Sequence, residues 1–287
     1  NLITKFKPQA AAGVGGYASG PLVYVASIRR IPSLLQEQNS YAGLTNKMLA
    51  NQVDKICVAN PGMEKFFQSD KLVFTGNPIR KEIVELAHQG LDKNRKEALE
   101  YFGLDPQKKT LLVIGGSLGA KTLNESVINN VQKLVDAEVQ VIWQSGKYYY
   151  PQMKQQLEVT PNHEGIHLWE FLSRMDLAYS VADVVISRAG ALSISELALV
   201  QKPVIFVPSP NVAEDHQRKN AEALVRVQAA KMVTDTEAPT LLIERTLELL
   251  ANEDQQLQLQ KNIQQFARPE ASEHIAQEVV NLIEEKQ

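Results

Sequence analysis

Three segments of the chain set glycines and small hydroxyl residues between a β-branched apolar run and a stretch of helical period. They are Gly13-Val14-Gly15-Gly16-Tyr17-Ala18-Ser19-Gly20-Pro21, Gly115-Gly116-Ser117-Leu118-Gly119-Ala120-Lys121-Thr122 and Ser187-Arg188-Ala189-Gly190-Ala191-Leu192-Ser193-Ile194-Ser195-Glu196. Where a strand gives way to a helix, free backbone N–H groups and the positive end of the helix dipole favour phosphate or carboxylate. In the first segment four glycines permit close approach of the backbone, and Ser19 offers a hydroxyl donor; a flexible tight turn is the plain alternative. In the third, a helix start near Ala191 suits a diphosphate, and Glu196, about one turn in, suits the two hydroxyls of a ribose. Ser193-x-x-Glu196 equally fits a capping box, in which the carboxylate merely closes the helix start.

The second segment imitates three motifs. A P-loop needs glycine immediately before its lysine, where Ala120 stands. A dinucleotide fingerprint wants an acidic residue at the end of the next strand, where Gln144 follows Trp143. Gly115-x-Ser117-x-Gly119 fits the nucleophile elbow of an α/β-hydrolase, which makes Ser117 a nucleophile in the alternative reading. A hydrolase has no need of two further phosphate loops. Polar clusters mark other strand ends: Glu37-Gln38-Asn39, Gly76-Asn77-Pro78-Ile79-Arg80 and Asp215-His216-Gln217-Arg218-Lys219-Asn220. Carboxamides bridge sugar hydroxyls and a guanidinium suits phosphate, so the set fits a nucleotide sugar. The five histidines lack metal-ligand spacing, and Asp235-Thr236-Glu237 is a weak acidic pair, so no metal is expected.

The elements that would carry these loops follow from the hydrophobic pattern. Strands are expected at residues 9–14, 33–36, 55–59, 72–75, 111–114, 139–143, 166–169, 184–187 and 204–207, with helices in most gaps, an alternation that argues for an α/β protein with parallel sheets. The polar stretch His88 to Arg95 is a candidate domain junction, and Ser272 to Glu285 reads as an amphipathic helix with Ile275, Val279, Val280 and Ile283 on one face. Only about four strands precede the junction, fewer than a doubly wound sheet usually has, so the first domain is expected to be incomplete at its N-terminus. The 287 residues suffice for two domains, 44% hydrophobic and 22% charged residues fit a globular chain, and a net charge of -3 argues against nucleic acid as a partner. Cys57, the one cysteine, reads as a small core residue of a strand. No apolar run approaches the length of a spanning helix.

Taken in order, the three loops, Glu37-Gln38-Asn39 with Ala42-Gly43-Leu44-Thr45-Asn46, and Gly76 to Arg80 resemble the bacterial transferases of the MurG type, which convert lipid I to lipid II, over essentially the whole chain. The resemblance implies a GT-B fold, two Rossmann-like domains facing across a cleft. It implies an acceptor- and membrane-side domain at 1–82, completed by the helix 271–287, and a donor domain at 83–270. It implies an inverting, metal-independent and cofactor-free transfer of N-acetylglucosamine from UDP-N-acetylglucosamine to undecaprenyl-diphosphate-muramoyl-pentapeptide, at the cytoplasmic face of the bacterial plasma membrane. On matching positions, Asn39 would contact the donor sugar, Arg80 and Ser117 its phosphates, Leu172 the uracil through its backbone, Ala191, Leu192, Ser193, Ile194, Ser195 and Glu196 the diphosphate and ribose, and Gln217 sugar hydroxyls. Gly13, Gly15, Gly16, Tyr17 and Ser19 would face the acceptor diphosphate. The family's candidate base, a histidine in an earlier glycine-rich loop, matches nothing here and is expected upstream of residue 1. Besides the hydrolase, a donor-binding fragment without catalysis is the other alternative. Leu2, Ile3 and Phe6 beside Lys5 and Lys7 read either as part of a membrane anchor or as the end of a core helix.

Overall fold

In a computed structural model the chain divides into two compact units, Asn1–Ile79 with Phe266–Gln287, and Arg80–Gln265. The structure describes residues 2–286; Asn1, Gln287 and the side chains of Leu2 and Ala213 lie outside it, and with them Leu2 as an anchor residue and the end positions of the domain expectations.

The first unit is built on a parallel sheet of β1 (Ala11–Gly13), β2 (Ser33–Glu37), β3 (Lys55–Val58) and β4 (Leu72–Phe74), in that order. Alternation along the strands supplies both faces. Leu35, Ile56 and Val58 pack with Val23, Leu49 and Phe67 on one side. Leu34 and Cys57 pack on the other against the helix Ala271–Glu284, through Ile275, Val279 and Leu282. Of the face expected on that helix, Ile275 and Val279 pack inward beside Leu282, whereas Val280 is 44% exposed. Burial pushes the Cys57 thiol up to about 11, so it is a packing residue and a poor nucleophile.

The second unit holds β5 (Thr110–Ile114), β6 (Gln140–Gln144), β7 (Ile166–Trp169), β8 (Val184–Ser187), β9 (Val204–Phe206) and β10 (Lys231–Met232), all parallel, in the order β10-β9-β8-β5-β6-β7. Counted from β5, this is the doubly wound order 3-2-1-4-5-6, whose direction reverses between β5 and β8. Leu111, Val113, Val141, Trp143, Val184 and Ile186 form its buried centre. The two-residue β10 has no hydrophobic pattern of its own and exists through pairing with Ile205 and Phe206. His88 to Arg95 lies inside this unit, where Ile83 and Leu86 before it and Ala98 and Phe102 after it are buried.

Candidate functional site

At the reversal point β5 and β8 are neighbours, Ile114 paired with Ser187, and the second and third loops leave from their carboxyl ends. Open α/β sheets bind ligands at this place. The helix Ala191–Leu199 starts at Gly190 (φ -68°, ψ 146°), which has no side chain to cap it. Its first backbone bond runs from Ile194 N–H to the Gly190 carbonyl at 3.0 Å. The N–H groups of Ala191, Leu192 and Ser193 thus precede the helical ladder, and a cavity of about 640 Å³ opens at this end, lined by Gly115, Gly116, Gly119, Ser187, Arg188, Gly190, Ser193 and Gln217 among others. Three aligned donors at the positive end of a helix suit an anion. The next two residues serve the helix: Ile194 is buried, and Ser195 Oγ donates to the Ala191 carbonyl at 3.0 Å.

Glu196 does not close a capping box. The helix start is Gly190, so Ser193 is already inside the first turn. The carboxylate instead accepts from Arg80 Nε and Nη2, both at 2.9 Å, and from the Tyr179 hydroxyl at 3.1 Å. Arg80, itself the residue before the helix Lys81–Gln89, therefore stands against a carboxylate.

The second loop is held from beneath by Gln144, 3% exposed, which donates to the Gly116 carbonyl at 3.0 Å and accepts from Leu172 N–H at 2.9 Å. The Leu172 N–H, expected to meet a base, is thus engaged by the protein. Ser117 is exposed, its carbonyl accepting from Lys147 N–H. It is absent from the residues at positive φ, whereas a nucleophile elbow is a sharp, strained turn. No histidine bonds it among the described residues, so the hydrolase reading loses its geometry. Arg188 donates to the carbonyls of Val207 and Pro208 and to Asp235, which also accepts from Thr122 at 2.8 Å. Asp235 is thereby a bracket between loops, and no cluster of three or more metal-ligating side chains occurs among the described residues. Gln217 accepts from Ser209 N–H at 2.9 Å. A separate cavity of about 520 Å³, beside β10, touches none of these loops.

In the first unit, Ser19 Oγ donates to the carbonyls of Gly15 at 2.8 Å and Gly16 at 3.1 Å. The hydroxyl expected to serve a ligand pins its own loop. Gly13 is buried, and a Cβ there would come within 2.7 Å of Val23, so this glycine answers to strand–helix packing. Gly15 and Gly16 have φ of +84° and +72°, Gly16 with nothing within 4 Å of a Cβ position, and Tyr17 is 91% exposed. Glu37, 2% exposed, organises the neighbouring loop: Oε1 accepts from Asn39 N–H at 3.0 Å, and Oε2 from Gly43 N–H at 3.0 Å and Asn46 Nδ2 at 2.8 Å. Gln38 Nε2 reaches across to the Val14 carbonyl at 3.0 Å. Asn46 Oδ1 is buried without a hydrogen-bond partner, 4.0 Å from a Cβ position at Gly15.

Sequence reasoning passed over Tyr179, and it quoted Gln144, Glu37 and Asn46 within motifs without giving any of them a role of its own. Glu37 carried a signal as a carboxylate at a strand's end, and Asn46 as part of the motif Ala42 to Asn46.

Residues 110–275 match the glycosyltransferase family 28 C-terminal domain, and residues 1–58 its N-terminal domain. The UDP-N-acetylglucosamine–N-acetylmuramyl-(pentapeptide) pyrophosphoryl-undecaprenol N-acetylglucosamine transferase of Parabacteroides distasonis is 51% identical over 99% of this chain and 76% of its own. That of Cytophaga hutchinsonii is 52% identical over 98% and 74%. The crystal structure of Acinetobacter baumannii MurG superposes with a TM-score of 0.79 at 30% identity, covering 98% of this chain and 75% of that one.

Proposed function

The chain belongs to glycosyltransferase family 28, among the transferases of the MurG type with their GT-B architecture, and from that premise we propose which of its residues do what. The reaction moves N-acetylglucosamine from UDP-N-acetylglucosamine to undecaprenyl-diphosphate-muramoyl-pentapeptide, lipid I to lipid II, in peptidoglycan synthesis. The muramoyl 4-hydroxyl attacks the anomeric carbon, the bond to UDP breaks with inversion, and the hydroxyl proton passes to a base, a role we assign to no residue of this chain.

One observation carries the donor assignment: the open N–H groups of Ala191, Leu192 and Ser193 at a cavity shared with the second glycine loop. There the UDP diphosphate is received and its growing charge stabilised in the transition state. Arg80 turns to the phosphates, Ser117 lies beside them, Leu172 offers its backbone to the uracil, Glu196 takes the ribose hydroxyls, and Gln217 takes hydroxyls of the sugar; for Asn39, in the first unit, a role toward the donor sugar rests on its matching motif position alone. Residues 83–270 form the donor domain in this reading, and 1–82 with 271–287 the acceptor side. In the latter, the backbone at Gly15, Gly16 and Tyr17 meets the acceptor diphosphate, and the orphan Asn46 Oδ1 accepts from a hydroxyl of the acceptor. Gly13 and Ser19 contribute by shaping the loop. Calorimetric titration tests the donor site: UDP binds and ADP binds far more weakly, and equal affinities would overturn the assignment.

No helix among the described residues is long and apolar enough to cross a membrane. The enzyme works from the cytoplasmic face of the plasma membrane as a peripheral protein in our reading. Phe6, Leu22 and Ile28 are 77%, 50% and 59% exposed, with Lys5, Lys7, Arg29 and Arg30 on the same segments. Apolar groups beside cations suit an anionic bilayer surface. Vesicles rich in anionic lipid should retain the chain in flotation, and Phe6→Ser with Ile28→Ser should release it; unchanged retention removes this patch from the interface.

A further inference from the structure

Glu196 is held by two partners of opposite character. Arg80 has a side chain 48% exposed, against 11% for Glu196, and so has room to leave. Tyr179 is 1% exposed, on the helix Met175–Val181, every residue of which is buried apart from Asp176. Its hydroxyl has one hydrogen bond among the described residues, to Glu196 Oε2. A buried phenol needs that partner, since an unsatisfied hydroxyl in the interior is costly.

A carboxylate offers about four lone-pair positions, and a ribose diol needs two of them. In the present arrangement Arg80 uses two and Tyr179 one, which leaves too few. Once Arg80 turns to a phosphate, about three remain, enough for the diol with Tyr179 still in place. Arg80 is thus the partner that must be exchanged, and Tyr179 the one that can stay.

We propose that Tyr179 is a positioning residue for the nucleotide: its hydroxyl holds the Glu196 carboxylate in the orientation that receives the ribose, so that recognition of the sugar hydroxyls depends on a phenol that touches no ligand. The proposal rests on the reading of Glu196 as the ribose acceptor. Burial first, and then the adjacent Glu196 charge, raise the Tyr179 phenol well above its ordinary value, so it remains a donor throughout the working pH range.

The test compares UDP with 2′,3′-dideoxyuridine diphosphate on the full chain by calorimetry. Tyr179→Phe keeps the ring and removes the hydroxyl. It should weaken UDP by about tenfold while leaving the dideoxy analogue unchanged, collapsing the preference for ribose. Equal weakening of both ligands, as from a purely structural defect, or an unchanged preference, overturns the proposal. Glu196→Gln separates the two levels. If the parent has no preference, or Glu196→Gln keeps it, the ribose reading itself fails. If Glu196→Gln loses the preference and Tyr179→Phe retains it, only the role of Tyr179 fails. Should Tyr179→Phe not fold, 3-fluorotyrosine at 179 keeps the hydroxyl and makes it a stronger donor. The preference should then shift, and an unaltered value overturns the proposal.

Discussion

The first and second glycine loops look alike in sequence, and each mixes glycines pressed by the protein's own packing, such as Gly13 and Gly119, with open ones at positive φ, such as Gly16 and Gly116. At Gly119 (φ +87°) a Cβ would collide with the Ser145 carbonyl and come within 2.8 Å of Tyr149, and at Gly146 (φ +82°) one would strike Gly119 itself. Two turns of the same unit meet there backbone to backbone, and glycine is demanded by the protein's own packing. At Gly16 the φ of +72° asks for glycine, yet space around the Cβ position is open. The lesson is that a glycine pattern reports a backbone requirement without saying whether the protein or a ligand imposes it. The second loop also departs from a strand at the sheet's reversal point, a feature absent from the order β1-β2-β3-β4 among the described strands of the first unit.

This contrast can be broken most directly at Gly119. Gly119→Ala should cost at least about 4 kcal/mol in denaturant unfolding, because a clash with a backbone carbonyl has no side chain to move aside. A mild effect would mean that the two turns are not locked together.

A second lever lies away from the loops, before β9. Burial lowers the Lys202 ammonium to about 8, the nearby Asp183 only partly opposing it, and Nζ donates to the Ala182 carbonyl at 2.6 Å. Below about pH 8 the lysine is charged in both folded and unfolded chains, and the folded state bears the whole burial cost. Between about 8 and 10.5 the folded chain loses its proton first, so stability rises with pH, by up to roughly 3 kcal/mol. Lys202→Met should abolish that rise in the difference between parent and variant unfolding curves, with UDP affinity unchanged. A loss of UDP affinity would tie this end of the sheet to the loops at the other.

The contrast sharpens when two helix starts of the second unit are set side by side. Asn252 caps the helix Glu253–Ile263, its side chain accepting from Gln255 N–H at 2.9 Å, whereas Gly190 leaves its helix open. Gly190→Asp should place a carboxylate at the proposed diphosphate site and weaken UDP by tenfold or more, while the new cap leaves the fold as stable or slightly more so. Asn252→Ala should do the reverse, costing about 1 kcal/mol of stability without changing UDP affinity. Calorimetry and thermal unfolding on both variants decide it, and a common response at the two sites would erase the distinction. The smallest expected change in stability, about 1 kcal/mol, belongs to Gly16→Ala, from the positive φ alone. Its UDP affinity should stay at the parent's value while turnover of a lipid I analogue falls. A collapse like that of Gly119→Ala would make the two glycines equivalent.

Much of the scaffold was legible before the structure. Long β-branched runs such as Leu111 to Ile114 and Val184 to Ser187 announce buried parallel strands because both faces are covered. Lys231–Met232 escaped notice because a two-residue strand is made by its neighbour. The positions of the second and third loops at strand ends were legible from strand, glycine and helix in succession. The state of Glu196 was not, since Ser193-x-x-Glu196 satisfies two geometries and the choice depends on which residue starts the helix. Its partners Arg80 and Tyr179 stand 116 and 17 residues away.

What the sequence alone determined was local: period, turn chemistry and the order of its loops, all set by residues within a few positions of one another. That was enough to establish an α/β chain, its glycine-rich strand ends and its family likeness. What only the tertiary structure decided was which of two identical-looking glycines is pressed by its own protein, whether Ser19 serves a ligand or its loop, and what holds Glu196. Each of these depends on atoms brought together from distant parts of the chain, and hydrogen bonds and steric contacts act over a few ångströms in space whatever the separation in sequence.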